Sequence, residues 1–202
     1  MRLVGMMDSP YVRRVAITMR LLGVAHDHDQ VSVFRHMDRF RAINPVIKAP
    51  TLVLDDGTVM MDSTLIVELV EQMAAPASLM PSRLADRARA LSLIGFALAG
   101  CEKAIQIEYE HKRPEELRHA PWLERVRSQA DAAFAHLDRA CAAAPRWLVG
   151  ETMTQADVTL ACVWAYAQLV TPDAVPAARY AAIAAHGARC EALPVFRETP
   201  LV

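Results

Sequence analysis

The amino-acid sequence predicts an α/β domain followed by an all-helical domain. Residues 1–75 show a short strand, a helix, a second strand, a hairpin and a further helix, which together form a small α/β layer. A segment that contains Pro76 and Pro81 then interrupts the pattern. Beyond it, the apolar residues follow helical spacing. The predicted limits are therefore 1–75 for the α/β domain, 76–83 for a linker and 84–202 for the helical domain.

Composition places the chain among ordinary globular proteins. Of its 202 residues, 53% are hydrophobic and 22% are charged, with a net charge of −1. The basic residues are dispersed, which argues against a nucleic-acid partner. No uncharged apolar run reaches the roughly 20 residues that span a bilayer, and we expect neither a signal peptide nor a membrane association.

The cysteines indicate neither a metal site nor a dithiol redox motif. They show no C-x-x-C spacing, and alanine and aliphatic residues surround them. We therefore expect buried free thiols, no bound metal and a cytoplasmic protein. The residues concerned are Cys101, Cys141, Cys162 and Cys190.

Ser9 stands where a first strand, residues 2–7, turns into a helix, residues 10–22. Serine is a good N-cap, and Pro10 suits the first helical position. The hydroxyl would accept a backbone N–H and still donate outward at the positive end of a helix dipole, where an anion such as a thiolate fits. The simpler alternative is a cap without catalytic role. Arg13 and Arg14 are expected to be solvated or paired, with a ligand carboxylate as the alternative.

The rest of the first domain is predicted from alternation and turn chemistry. Residues 29–34 form a second strand, and residues 36–43 a short helix or loop. Residues 51–54 and 58–61 form a hairpin through an Asp-Gly turn. Asp62 and Ser63 cap the next helix, whose N-terminus is suited to a carboxylate.

The second domain is predicted to hold helices at 84–109 and 122–143, a buried helix after residue 154, and one or two helices within 175–190, before a short tail. Thr154 and Asp157 form a capping box, and we interpret them as folding signals rather than catalysts.

Four stretches, in this order and spacing, resemble the cytosolic glutathione S-transferases. They are Ser9-Pro10-Tyr11-Val12-Arg13, the segment 44–50, Asp62-Ser63, and the capping box at 154–157. The likeness is greatest to the bacterial serine-type branch, whose first helix opens with Ser-Pro-aromatic-Val-Arg. The resemblance covers essentially the whole chain and implies a thioredoxin-like N-terminal domain.

The resemblance implies roles for individual residues. Ser9 would donate a hydrogen bond to the glutathione sulfur and favour the thiolate. The Ala49–Pro50 bond would be cis, with the Ala49 backbone pairing with the cysteinyl part of glutathione. Asp62 and Ser63 would hold the γ-glutamyl end, and Lys48 would neutralise a carboxylate. In a departure from the family pattern, Ile47 stands where many relatives have glycine.

The implied function is a cytoplasmic, homodimeric glutathione transferase that detoxifies small hydrophobic electrophiles. Glutathione would be the co-substrate. The second substrate would sit between the domains, and its candidate lining residues are Tyr11, Tyr109, His111 and Trp164. The alternative for each aromatic residue is core packing. Alternative functions are a glutathione-dependent reductase, peroxidase or isomerase, and, in another class, a non-catalytic binding or regulatory protein on the same fold.

Overall fold

The computed structural model describes residues 1–201, and the chain divides into two compact units. The first unit is Met1–Leu79 together with the C-terminal segment that begins at Leu193, and the second is Met80–Ala192. The predicted helical domain, 84–202, differs from this division at its end. The C-terminal segment packs with the first unit, for a reason that lies in Arg13, as described below.

The first unit contains a four-stranded mixed sheet in the order β2-β1-β3-β4. β1 pairs in parallel with β2 and antiparallel with β3, which pairs antiparallel with β4. Leu3 and Val4, on the inner strand β1, are fully buried. The strands are β1 Arg2–Val4, β2 Asp27–Asp29, β3 Thr51–Val53 and β4 Val59–Met61.

Eight α-helices lie within residues 1–201. Two 3-10 turns, Glu115–Leu117 and Ala177–Arg179, precede α5 and α7. The helices are α1 Pro10–Leu21, α2 Met37–Ile43, α3 Ser63–Met73, α4 Leu84–His111, α5 Ala120–Ala143, α6 Gln155–Val170, α7 Ala181–Glu191 and α8 Pro194–Arg197.

The predicted second strand, residues 29–34, is wrong in position. β2 ends at Asp29, and the N–H of Val31 donates to the Asp29 carbonyl in a tight turn. Val31 is nevertheless fully buried, in a small cluster with Val4 and Phe40. The alternation of valines therefore predicted the burial of Val31 correctly. Val31 is buried because its loop packs on the sheet, not because it belongs to a paired strand.

The main core of the first unit lies among the sheet, α1 and α3. The apolar side chains of each helix recur at three- and four-residue intervals and so form one buried face. The buried members are Leu3, Met7, Val12, Val15, Ala16, Met19, Leu52, Ile66, Val67 and Val70.

Arg13 attaches the C-terminal segment to α1. Its side chain is 1% exposed, so the solvated alternative of the prediction, which was a solvated or paired arginine, is wrong. Nε donates to the Thr199 carbonyl at 2.8 Å, and Nη2 donates to the Phe196 carbonyl at 3.3 Å. The guanidinium carbon also lies 5.6 Å from the centroid of the Phe196 ring. Carbonyls at a helix C-terminus lack partners within the helix, and Arg13 supplies donors to them.

The second unit is built around α6. Its buried residues occur on every face, as predicted for a central helix. The predicted capping box is confirmed, because the N–H of Thr154 donates to Asp157 Oδ2 at 2.7 Å. Asp157 is fully buried, and its Oδ1 also accepts the N–H of Leu148 at 2.9 Å. The carboxylate thus fixes both the start of α6 and the segment before it.

A buried histidine lies beside this carboxylate. Nε2 of His186, on α7, is 3.6 Å from Asp157 Oδ1 and 3.6 Å from the sulfur of Cys190. Burial lowers the pKa of His186 below its ordinary value of 6.5, and the charge of Asp157 opposes this shift only in part. Burial also raises the pKa of Cys190, so the thiol stays protonated. The cluster has the chemistry of a structural site rather than a reactive one.

All four cysteines are free thiols. Cys101, Cys162 and Cys190 are buried, as predicted, and Cys141 is only half-buried. Burial, followed by the charge of Asp138, raises the pKa of Cys141 to about 12. Cys141 and Cys190 therefore lie in surroundings that disfavour the reactive thiolate.

Within the described residues, α4 is long and apolar enough to cross a membrane, with 28 residues. Of the residues in its most apolar window, 44% are buried inside the protein. The core helices of globular proteins share this length and composition, so the test is weak evidence for a membrane span.

We predict that Arg13→Gln lowers the free energy of unfolding by about 2–4 kcal/mol, because two carbonyls lose charged donors. Arg20→Gln is the matched control. Arg20 pairs with Glu198 at 3.0 Å on the same surface, but both side chains are largely exposed, and the expected cost is below about 1 kcal/mol. Urea denaturation of both variants measures the difference. Equal losses would show that Arg13 does not attach the segment.

We also predict that acid destabilises the protein through His186. The unfolded chain binds a proton near pH 6.5 that the folded protein resists, so this contribution is complete above that pH and is lost as pH falls below it. Thermal midpoints of the wild type and His186→Gln, measured from about pH 8 to pH 5, test the prediction. The variant should be less stable at pH 8 but should show a shallower decline. Parallel curves would contradict it.

Candidate functional site

Ser9 is the N-cap of α1, as predicted. Its backbone is extended, with φ −73° and ψ 121°, and its Oγ accepts the N–H of Val12 at 3.4 Å. Pro10 occupies the first helical position, and the carbonyl of Ser9 accepts the N–H of Arg13 at 2.9 Å. Because Oγ acts as an acceptor within the cap, its own hydrogen remains for a group outside the helix. The side chain is half-buried.

The loop before β3 is fixed by two buried polar side chains that the sequence analysis missed. Asn44 Nδ2 donates to Thr51 Oγ1 at 2.9 Å, and its Oδ1 accepts the N–H of Val46 at 3.0 Å. Thr51 Oγ1 in turn donates to the Lys48 carbonyl at 2.8 Å. The Ala49–Pro50 bond is cis, as the resemblance implied. The signal for Asn44 was the Asn-Pro pair, since asparagine side chains commonly bond the backbone two residues on.

Two residues at this end of the sheet have left-handed backbone conformations. Ile47 has φ 53°, and Asp62 has φ 75°. The left-handed region costs an L-residue roughly 1–2 kcal/mol, and Ile47 is β-branched. Its side chain packs against the cluster of Val4, Val31 and Phe40, which gives a physical reason for isoleucine at this position.

The N-terminus of α3 gathers three of the predicted site residues. Asp62 is the N-cap, and its Oδ1 accepts the N–H of Thr64 at 2.8 Å. Lys48 Nζ lies 4.0 Å from Asp62 Oδ2, but both side chains are about half exposed, so this pair contributes little to stability. Ser63, the first residue of α3, is 6% exposed.

Arg14 reaches Ser63 from α1. The side chain of Arg14 is 1% exposed, so the solvated alternative of the prediction is wrong here too. Nη1 donates to Ser63 Oγ at 3.4 Å. α1 therefore contributes Ser9 at its start and, five residues later, an arginine that contacts the start of α3.

The four candidates for an electrophile pocket differ in their surroundings. Tyr11 is half-buried on α1, in the first unit. Tyr109, on α4 of the second unit, is 49% exposed. Nε2 of His111, the exposed last residue of α4, lies 3.2 Å from Nη2 of Arg127. Trp164 is different, because it is a core residue.

The indole of Trp164 is only 6% exposed and lies within the second unit, between Phe134 and Tyr180. A Cβ at position 187 would approach Trp164 Cδ1 to 2.7 Å, so Gly187 is required for this packing. Core packing, the alternative for an aromatic at helical spacing, therefore applies to Trp164.

Two histidines, His26 just before β2 and His28 within it, contact backbone carbonyls. His26 Nδ1 lies 3.1 Å from the Val24 carbonyl, and His28 Nε2 lies 2.8 Å from the Gly5 carbonyl. Burial lowers the pKa of His26, so its neutral form is favoured. In the part of the chain that the structure describes, no group of three or more His, Cys, Asp or Glu side chains is placed to hold a metal ion.

Comparison with known proteins identifies both halves of the chain. Residues 3–78 match the glutathione S-transferase N-terminal domain, and residues 120–189 match the glutathione S-transferase C-terminal domain. Among curated proteins, the uncharacterized GST-like protein YibF of Escherichia coli (strain K12) is 24% identical over 166 residues, which are 82% of this chain and 81% of YibF.

Two solved structures extend the likeness to the whole chain. A glutathione S-transferase of Methylobacterium radiotolerans, in complex with glutathione sulfonate, is 26% identical with a TM-score of 0.91, over 98% of this chain and 93% of that one. A glutathione transferase family member of Pseudomonas fluorescens Pf-5, with bound glutathione, is 25% identical with a TM-score of 0.81, over 98% and 97% of the two chains.

The small mixed sheet with its helices defines a thioredoxin-like N-terminal domain, and a helical C-terminal domain follows it. The chain belongs to the glutathione S-transferase family.

We predict that Asp62→Ala lowers the free energy of unfolding by about 1–2 kcal/mol, because the cap is lost and alanine tolerates a positive φ poorly. Asp62→Asn keeps an oxygen acceptor and tolerates the same φ, so it should lie within about 0.5 kcal/mol of the wild type. Urea denaturation compares the two variants. If asparagine cost as much as alanine, the carboxylate charge rather than the cap would be the stabilising element.

Proposed function

We propose that this protein is a glutathione transferase in which Ser9 stabilises the thiolate of bound glutathione for attack on a small hydrophobic electrophile. One observation carries the proposal. The hydroxyl of Ser9 caps the N-terminus of α1, with Pro10 behind it and its hydrogen available outward. The glutathione-bound relatives in M. radiotolerans and P. fluorescens support glutathione as the co-substrate.

The chemistry needed is stabilisation of a negative sulfur. A free thiol has a pKa near 8.5, so a minor fraction is ionised at neutral pH. A hydroxyl donor and the positive end of a helix dipole both favour the thiolate, which is the nucleophile. Ser9 itself stays un-ionised. It acts as a hydrogen-bond donor to the sulfur and takes no proton from it.

The remaining glutathione contacts are assigned by the resemblance and supported by the local geometry. The Ala49 backbone would pair with the cysteinyl part, next to Pro50. Asp62 and Ser63 would bind the γ-glutamyl end at the start of α3, where Asp62 already orients the helix. Lys48, which lies close to Asp62, would add a positive charge.

The second substrate, the assembly and the location remain predictions. Tyr11, Tyr109 and His111 are the proposed electrophile-binding residues. A homodimer is proposed from the resemblance, and exposed apolar residues such as Met73 and Leu91 are compatible with it. We propose a cytoplasmic location from the same resemblance.

The test is Ser9→Ala beside the wild type. Calorimetry with glutathione measures affinity, and thiolate absorbance against pH measures the pKa of the bound thiol. We predict that affinity changes little, whereas the thiol pKa rises by about one unit or more, which lowers the thiolate fraction by about tenfold at a pH well below both pKa values. Conjugation rates should fall by the same factor.

Two variants separate chemistry from capping. Ser9→Thr keeps a hydroxyl and a cap and should retain thiolate, whereas Ser9→Ala also costs about 1 kcal/mol of stability. Ser128→Ala, on an exposed face of α5, should change neither the thiolate fraction nor the stability. No heat and no thiolate with wild type at millimolar glutathione would instead favour a non-catalytic binding protein. Thiolate without conjugation would direct the search to reductase, peroxidase and isomerase reactions.

A further inference from the structure

Two imidazole rings lie on one side of the edge strand β2. His26 immediately precedes β2, and His28 is its central residue. Alternate residues of an extended chain face the same side, so the two aspartates of β2 alternate with the histidines on the other side. Both histidines line one surface groove of the first unit, together with Arg20 and Glu198.

Each ring has one nitrogen bound to a backbone carbonyl. Nδ1 of His26 lies 3.1 Å from the Val24 carbonyl oxygen, and Nε2 of His28 lies 2.8 Å from that of Gly5. A carbonyl oxygen only accepts, so each of these nitrogens carries a hydrogen and donates it. In the neutral ring the other nitrogen then has a lone pair and no hydrogen. These bare nitrogens are Nε2 of His26 and Nδ1 of His28.

This arrangement is the one that metal-binding histidines adopt. A ligating imidazole almost always donates its other N–H to a carbonyl, a carboxylate or a water, and this bond fixes the tautomer and the ring orientation. Both rings meet that condition through bonds within the protein. His26 and His28 are also half-buried, so an ion that binds both rings does not have to order two mobile side chains.

The charges and the size of the groove suit a cation. Arg20 pairs with Glu198 at 3.0 Å, so the positive charge of the groove wall is balanced locally. The bare nitrogens of the two rings offer lone pairs and no hydrogen, which favours a cation over an anion. The groove has a volume of about 120 Å³, which leaves room for an ion with bound water.

The number of protein ligands determines the kind of site. Among residues 1–201, no third His, Cys, Asp or Glu side chain joins the two rings in a group that could hold a metal ion. Structural zinc sites have four protein ligands, and catalytic zinc sites have three. Two ring nitrogens with water in the remaining positions therefore make an exchangeable site rather than a permanent metal centre.

We propose that His26 and His28 form an exchangeable binding site for a divalent transition-metal ion, which is held by Nε2 of His26 and Nδ1 of His28 and completed by water. Imidazole ligands favour zinc, copper and nickel, whereas magnesium and calcium prefer oxygen ligands. The inference does not depend on glutathione binding, because it uses neither Ser9 nor the residues at the start of α3.

The test is calorimetric titration of the protein with Zn²⁺ in the absence of glutathione, whose thiol would compete for the ion. We expect one tightly bound ion per chain, tighter binding of Cu²⁺ than of Zn²⁺, and no measurable heat with Mg²⁺. His26→Gln and His28→Gln should each weaken Zn²⁺ binding by at least about tenfold, because either change leaves a single imidazole.

Glutamine is the conservative change at both positions. Its amide N–H can still donate to the backbone carbonyl, but it has no ring nitrogen for the ion. The double variant should bind little more weakly than either single variant, since the two rings act as one chelate. His119→Gln is the matched control, because it removes an exposed imidazole from the second unit and should leave the Zn²⁺ affinity unchanged.

Three results would contradict the inference. A wild-type dissociation constant weaker than about 1 mM would show that the two rings do not chelate Zn²⁺. Additive losses in the double variant would show that the rings bind ions separately. A loss with His119→Gln as large as with His26→Gln would show that Zn²⁺ binds surface imidazoles without preference.

A measurement on the wild type covers the case in which the variants do not fold. The ring nitrogens of both histidines are followed by NMR as Zn²⁺ is added. We expect the resonances of Nε2 of His26 and Nδ1 of His28 to shift, while the other nitrogen of each ring keeps its hydrogen. A shift in one ring alone, or coordination through the nitrogens that face the carbonyls, would overturn the inference.

Discussion

Two adjacent buried guanidinium groups connect α1 to distant parts of the first unit. Arg13 and Arg14 are each 1% exposed, yet they serve different parts of the chain. Arg13 binds the carbonyls of Phe196 and Thr199 and so fixes the C-terminal segment on α1. Arg14 binds Ser63 and so fixes α1 to α3. Because Ser9 begins the same helix, the position of the candidate catalytic hydroxyl depends on both contacts.

This arrangement explains why the packing of the C-terminal segment on the first unit could not be predicted from sequence. α8 has four residues, and its composition gives no sign of its partner. The contact depends on Arg13, which is 183 residues away from Phe196 in sequence. Helical spacing and capping describe only neighbours along the chain. An arginine in a first helical turn therefore looks solvated unless the carbonyls that it meets are known.

The features that could be predicted from sequence are those with local causes. Ser9 and Asp62 were identified as caps because the capping oxygen and its backbone donors lie within three residues. The capping box of α6 was found for the same reason. The second strand was predicted too late in the sequence because Val31 and Val33 alternate in a loop that packs on the sheet. Periodicity cannot distinguish the burial of such a loop from that of a strand. Trp164 was ambiguous because an aromatic at helical spacing gives the same pattern in a core and in a pocket.

The candidate site combines these local caps with contacts that sequence alone does not reveal. Its polar groups are caps of α1 and α3, which any soluble helix could have. What distinguishes these caps is the buried hydrogen bonding beneath them. Asn44 binds Thr51 under the loop before β3, and Arg14 binds Ser63 at the start of α3. The left-handed conformations of Ile47 and Asp62 are compatible with a rigid buried layer, since strained backbone persists only where packing and hydrogen bonds hold it in place. The packing of Ile47 and the bonds of Asp62 meet that condition. The rigidity of the site therefore originates in the buried layer beneath it, and ligand recognition should be as sensitive to that layer as to the side chains that face the ligand.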